Sequence, residues 1–209
     1  MREPPPASPI IAPMELFPMV FATGWASGIN AWATVFVLGL LGRFAGTGAI
    51  PAGFERTDVL ALMGVLALLE LVADKIPYLD SAWDAVSTFI RPVAGAVIGA
   101  LMAGQTGSLT TIALASVGGV TALLSHISKS GLRLAINTSP EPVTNVSASI
   151  GNDISVLGVL TLAATHPVPA AIVAGTLLVF GLGLFVLVFA QVKRGYRLAR
   201  ARLGRGVTA

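Results

Sequence analysis

The sequence predicts an all-α, polytopic membrane helix bundle with about six transmembrane helices and with both termini in the cytoplasm. Of its 209 residues, 55% are hydrophobic and only 11% are charged, whereas about a quarter of the residues in soluble domains are charged. Apolar runs without charges recur along the chain, and each is about long enough to cross a hydrocarbon core of roughly 30 Å. A soluble fold of this size could not bury so much apolar surface.

Six apolar segments predict the crossings: 16–41, 58–76, 84–103, 109–127, 143–164 and 170–192. Thr57 and Asp58 predict an N-cap for the second segment, and Pro77 ends that segment. Arg91 and Pro92 interrupt the third, so the third and fourth are either two full crossings, which we favour, or a re-entrant hairpin. Three crossings in each half leave open a 3+3 inverted repeat.

The ends of the chain differ from its middle in composition. Residues 1–14 are proline-rich and predict a disordered tail, residues 15–192 form the transmembrane domain, and residues 193–209 form a basic cytoplasmic tail. Beside a membrane helix, a basic tail predicts contact with anionic lipid headgroups rather than with nucleic acid.

The distribution of basic residues predicts the orientation. With six crossings, the side that holds both termini also holds Arg2, Lys75, Arg91, Lys129, Arg133, Lys193, Arg194, Arg197, Arg200, Arg202 and Arg205. The other side holds only Arg43 and Arg56. Because cytoplasmic loops carry the excess of Lys and Arg, both termini are predicted to be cytoplasmic.

The middle of the first segment is unusual for a helix that faces lipid. Gly24 and Gly28 are four residues apart, which allows another helix to approach closely, and Asn30 lies deep in the apolar run. We favour tight helix packing, with Asn30 hydrogen-bonded across a helix interface. The alternative is a broken helix that lines a binding site.

Charged residues within the apolar segments predict a polar cluster near the cytoplasmic surface. Charges inside a membrane are costly, and they are either functional or paired. Acids from the second and fifth segments should face bases from the third and fourth, and an ion-pair network that holds the bundle together is the alternative to an ion or substrate site. The candidate residues, including Asn30, are Glu70, Asp74, Arg91, His126, Lys129, Arg133, Asn137, Asn152 and Asp153.

Several classes of chemistry have no support in the sequence. There is no cysteine, which excludes disulfides, thiolate metal sites and cysteine nucleophiles. His126 and His166 are too far apart to form a local metal motif, and no hydrolase, metalloprotease or phosphate-binding motif occurs. We therefore expect no enzymatic activity, no cofactor and no metal.

Three motifs resemble a known family. These are Gly28-Ile29-Asn30, the stretch 73–80 with Trp83 and Asp84, and the stretch 137–142. Together they resemble a bacterial family of small polytopic inner-membrane proteins of unknown function. The resemblance implies no activity, and we assign Asp80, Asp84 and Glu141 to an interface or loop motif.

Two functions fit the sequence. The first is a small transporter or channel in which Glu70, Asp74 and Asp153 bind a cation or proton. The second is a structural or assembly subunit, as a homo-oligomer or within a larger membrane complex. Small residues four apart, at Gly95, Gly99 and Ala103, would suit helix packing within or between chains.

Overall fold

The computed structural model describes residues 13–46, 48–76, 78–104, 106–137 and 142–205. Within these ranges the chain forms seven α-helices, one short 3-10 helix and no strand, so the all-α prediction is confirmed. The helices are α1 Pro13–Ile29, α2 Ala31–Ala45, α3 Thr57–Ala73, α4 Leu79–Ala103, α5 Ser108–Asn137, α6 Pro142–Thr165 and α7 Pro167–Arg205, with the 3-10 helix at Ala52–Glu55.

In the described part of the chain, four helices are long and apolar enough to cross a membrane, which indicates a membrane protein. Their apolar spans are Leu79–Ala103, Ser108–Leu134, Val143–Thr165 and Pro167–Gly195. Four is fewer than the six crossings that the sequence predicts, because α1, α2 and α3 have only 17, 15 and 17 residues. The lengths of α4 and α5 suit the favoured alternative of two full crossings.

The outer faces of the bundle are apolar. Phe89 is 80% exposed on α4, and Val179 and Phe180 are 72% and 70% exposed on α7. Soluble monomers rarely expose large contiguous apolar patches. These faces are therefore suited to contact with lipid.

The first predicted crossing is not one continuous helix, so the predicted hydrogen bond of Asn30 across a helix interface is wrong, although the close packing predicted at Gly24 is present. Asn30 has an extended backbone (φ −151°, ψ 101°) and separates α1 from α2. Its side-chain oxygen accepts a hydrogen bond from the Ala33 amide at 2.8 Å. Asn30 thus caps the N-terminus of α2 instead of bonding across a helix interface.

Replacing Asn30 with alanine should destabilise the start of α2. Loss of an N-cap side chain costs about 1 kcal/mol, and we expect faster hydrogen exchange at the amides of the first turn of α2. Asn30→Ser should retain most of the protection, since a serine hydroxyl also accepts this hydrogen bond. Equal exchange rates in the alanine and serine variants would contradict the capping role.

Two predicted helix boundaries also need correction. The N-cap position of α3 is Arg56, and no side chain of the described residues caps that end. Asp58 instead forms an exposed ion pair with Arg56 at 2.7 Å. Helix α4 begins at Leu79, before the predicted start at Asp84, and it continues through Pro92. The predicted loop motif at Asp80 and Asp84 is therefore helical.

Glycine contacts hold the centre of the bundle together. Helix α1 lies in the middle and contacts α2, α4, α5, α6 and α7. A Cβ atom built on Gly24 would lie 2.8 Å from the Gly118 carbonyl oxygen of α5, and one built on Gly95 would lie 2.6 Å from the same atom. The small residues Gly95, Gly99 and Ala103 are buried inside the chain, so their spacing serves packing within it.

Candidate functional site

Helices α3, α4 and α5 bring a set of ionisable side chains together inside the bundle. We call this set the ionic cluster, and none of its residues is more than 4% exposed: Glu70, Asp74, Asp80, Asp84, Arg91, His126, Lys129 and Arg133. Burial of an unpaired charge costs several kcal/mol. The contacts within the ionic cluster therefore determine whether it is stable.

Arg91 of α4 connects three helices. One of its terminal nitrogens, Nη2, lies 2.5 Å from Glu70 Oε1 on α3 and 3.1 Å from Asp84 Oδ1 on its own helix. The other, Nη1, lies 2.6 Å from His126 Nδ1 on α5. The planar guanidinium group has enough donors for several such contacts at once.

Lys129 and Arg133 lie one helical turn apart on α5 and share one acid. Lys129 Nζ lies 2.7 Å from Asp74 Oδ2 and 3.6 Å from Glu70 Oε1. Arg133 Nη1 lies 2.6 Å from Asp74 Oδ1. Asp74 follows the last residue of α3, so these two ion pairs fasten the end of α3 to α5.

The break after α1 supplies the cluster with backbone acceptors. A helix leaves its last four carbonyl groups without intrahelical partners, and its C-terminus carries a partial negative charge. Lys129 Nζ donates to the Ile29 carbonyl oxygen at 2.8 Å, and Arg91 Nη1 donates to that of Gly28 at 3.3 Å. Two buried cationic side chains therefore provide hydrogen-bond donors for the carbonyl groups at the C-terminus of α1.

The contacts of His126 determine its tautomer. Arg91 has only donors, so His126 Nδ1 must accept the hydrogen bond from Arg91 Nη1. His126 Nε2 lies 3.0 Å from Thr88 Oγ1, and that hydroxyl donates to the Asp84 carbonyl oxygen at 2.9 Å. We infer a neutral imidazole with its proton on Nε2.

The ionic cluster contains acids, bases and one histidine. Its four carboxylates lie among three cationic side chains and the neutral imidazole of His126. One residue of the cluster, Asp84, also forms part of the wall of a cavity of about 430 Å³ between α4, α5 and α7.

The structure brings six of the residues predicted from sequence into this cluster: Glu70, Asp74, Arg91, His126, Lys129 and Arg133. The spacing of His126, Lys129 and Arg133 puts them on one buried face because α5 continues to Asn137. Asn30 lies directly after the carbonyl groups that Lys129 and Arg91 contact.

Other predicted residues lie elsewhere. Asp153 was predicted to face the bases of α4 and α5, and this is wrong. It pairs instead with Lys75 at 3.3 Å, and both side chains are about a quarter exposed. Asn152 is half-buried next to it on α6. Asn137 ends α5, but its side chain lies outside the described part of the structure, and Glu141 lies outside the described residues.

The sequence predicts that Asp80 and Asp84 belong to an interface or loop motif. This prediction is wrong, because both side chains are buried within the cluster. A signal for this burial exists in the sequence. Asp80, Asp84, Ser87 and Arg91 recur at intervals of four, three and four residues, which places them on one face of a helix. The signal was missed because the predicted helix began too late.

The acids of the cluster do not form a metal site in the described part of the chain. No group of three or more His, Cys, Asp or Glu side chains there is arranged to hold a metal ion. The cationic side chains between the acids explain this arrangement, since they occupy the space that a metal ion would need.

One comparison with known proteins identifies a family. The family described as Domain of unknown function (DUF4126) matches residues 18–187, a range that includes the whole ionic cluster. The predicted resemblance to a family of unknown function is thus confirmed. The comparisons with curated proteins and with solved structures found no match.

Proposed function

We propose that this chain, which belongs to the DUF4126 family, is a multi-pass membrane protein that transports a small cation through the ionic cluster. The burial of four acids and three bases among the helices of a membrane protein is the observation that carries this proposal, because charged groups inside a membrane are costly and usually functional. Buried carboxylates of this kind suit a site that binds and releases a cation.

The broken helix supports the same proposal. Discontinuous helices in transporters place the ends of half-helices and their carbonyl groups at ion sites near the middle of the bilayer. Here the end of α1, at Ile29, meets Lys129 and Arg91 of the cluster. Ionisable residues among membrane helices are by default candidates for ion pathways.

For the membrane arrangement we propose six crossings in a bacterial inner membrane. Helices α1 and α2 together form one crossing, and α3, at about 26 Å, forms a second beside the four longer helices. Both termini lie in the cytoplasm by the positive-inside rule. The basic residues at the end of the last span and beyond it, among them the exposed Lys193, Arg194 and Arg197, contact anionic lipid headgroups.

Flux through the purified chain in liposomes tests this function. We expect cation flux from the wild-type protein and about tenfold less from Glu70→Asp. This variant keeps the charge but withdraws the carboxylate from Arg91, and a factor of ten corresponds to about 1.4 kcal/mol, the scale of one hydrogen bond. Arg56→Gln, which changes an exposed ion pair, should transport at the wild-type rate. Absence of flux from folded wild-type protein would contradict the proposal.

A structural subunit is the second candidate, and the way the cluster joins helices favours it. Contacts of Arg91 and Lys129 connect α1, α3, α4 and α5. In this case the pure chain should show no flux, and it should be stable only when isolated together with other membrane proteins.

A further inference from the structure

A second cavity, of about 350 Å³, lies between α2, α3 and α6, and its volume is within the range of small-molecule sites. We call it the α3–α6 cavity. None of the residues of the ionic cluster is among the described residues of its wall. Apart from Asn30 at the start of α2 and Asp153 of α6, the residues that line it in the described ranges are apolar. The α3–α6 cavity is therefore a site of its own, apolar with two polar groups.

An ion pair closes one end of the α3–α6 cavity. Lys75 Nζ lies 3.3 Å from Asp153 Oδ2 and 3.0 Å from the Leu71 carbonyl oxygen, and both Asp153 and Leu71 line the cavity. Gly64 and Phe36 line a different part of it, and a Cβ atom built on Gly64 would lie 3.0 Å from the Phe36 ring. Gly64 precedes Leu71 by about 10 Å along α3. The cavity thus has one charged end and an apolar body.

Asn30 contributes a hydrogen-bond donor that the described residues do not use. The residue is only 3% exposed, and it lines the cavity. Its side-chain oxygen accepts from the Ala33 amide at 2.8 Å, whereas its side-chain nitrogen donates to none of the described residues. A buried donor without a partner is costly. A ligand with an acceptor oxygen would be stabilised at this point.

Asp153 can accept from a second cationic group. It is the only charged residue among the described residues of the cavity wall, and its side chain is 27% exposed. Its contact with Lys75 at 3.3 Å is longer than the roughly 2.7–2.9 Å of a strong charge-assisted hydrogen bond, and a carboxylate accepts from several donors. Lys75 Nζ also contacts the Leu71 carbonyl oxygen and, at 3.4 Å, Ser149 Oγ, so its ammonium group does not depend on Asp153 alone.

The charge of the wall favours an amine over the other amphipathic molecules of a membrane. A fatty acid or a phospholipid would bring a carboxylate or a phosphate close to Asp153, and like charges at short range repel. A neutral molecule would fill the apolar body but leave the carboxylate without an added partner. An amine fits both, because its ammonium group meets Asp153 while its hydrocarbon part lies against the apolar wall.

We propose that the α3–α6 cavity binds an apolar amine. The ammonium group of the ligand donates to Asp153, its hydrocarbon part lies against Phe36 and Ala67, and an acceptor oxygen on the same molecule pairs with Asn30. This inference goes beyond the proposed cation transport, since the site consists of other residues and is tested by binding rather than by flux.

Calorimetric titration of the purified chain in phosphatidylcholine nanodiscs tests the inference, with the heat of partitioning into empty nanodiscs subtracted. Octylamine is the probe, and octanol is the matched neutral ligand. We expect octylamine to bind the wild-type chain at least about tenfold more tightly than octanol, as one hydrogen bond between charged groups would produce. Asp153→Asn should bind both ligands as weakly as the wild type binds octanol, which also shows that the cavity is intact. Asp58→Asn, at an exposed ion pair, should bind as the wild type does.

A second pair of variants tests the place of binding. Ala67→Phe fills the cavity and should abolish binding of both ligands, whereas Ala61→Phe, on the same helix but exposed and outside the cavity wall, should bind both normally. Absence of octylamine binding, equal affinity of the wild type for octylamine and octanol, or normal octylamine binding by Asp153→Asn or Ala67→Phe would overturn the inference. A phospholipid that native mass spectrometry finds on the wild type and that octylamine does not displace would also overturn it, since a lipid would then be the occupant.

Discussion

Replacing Arg91 with methionine should lower the free energy of unfolding by about 3–5 kcal/mol, as is typical when one partner of a buried ion pair is removed. Arg91 Nη2 lies 2.5 Å from Glu70 and 3.1 Å from Asp84, so its loss removes the closest cationic group from two buried carboxylates. Methionine is long and apolar, so loss of charge rather than loss of volume would dominate the effect. Unfolding in detergent micelles, followed by circular dichroism, measures the difference.

Two further variants show whether this effect comes from the buried charges. Arg56→Met changes an exposed ion pair and should leave stability unchanged, because such pairs contribute little. Combining Arg91→Met with Glu70→Met should recover part of the loss, since a buried ion pair can often be replaced by apolar residues. A double variant that loses the sum of both single effects would contradict this account.

Replacing Gly118 with alanine should destabilise the bundle by about 1–3 kcal/mol, the usual effect of excess volume in a tightly packed core. The Gly118 carbonyl oxygen would lie 2.8 Å from a Cβ atom on Gly24 of α1 and 2.6 Å from one on Gly95 of α4. A methyl group on Gly118 would itself contact the backbone of Gly95. Backbone atoms cannot move aside as a flexible side chain can, so the helices would have to separate.

Gly158 provides the matched control on α6. A Cβ atom there would meet no atom within 4 Å, and alanine is a better helix former than glycine by about 1 kcal/mol. Gly158→Ala should therefore keep or raise the melting temperature, while Gly118→Ala should lower it. Similar melting temperatures for the two variants would show that close backbone contact does not limit the packing.

The sequence predicted the positions of the helices better than it predicted which of their residues contact one another. The apolar stretches 143–164 and 170–192 lie within α6 and α7, because length and hydrophobicity are local properties. The sequence predicted a break near Asn30 only as the alternative to a continuous, tightly packed helix, because an asparagine in an apolar run can either cap a helix or bond across a helix interface. Asp80 and Asp84 were misplaced because the predicted helix began at Asp84, whereas α4 begins at Leu79.

By itself, the sequence determined that this chain is helical and apolar, that it resembles a family of unknown function, and that several charges lie among its apolar segments. Only the tertiary structure decided which charges meet: Asp153 pairs with Lys75, whereas Asp84 joins Arg91. The physical reason is that an apolar run specifies a helix locally. The partner of a buried charge depends instead on which helices approach closely, and here glycines in three helices determine that approach.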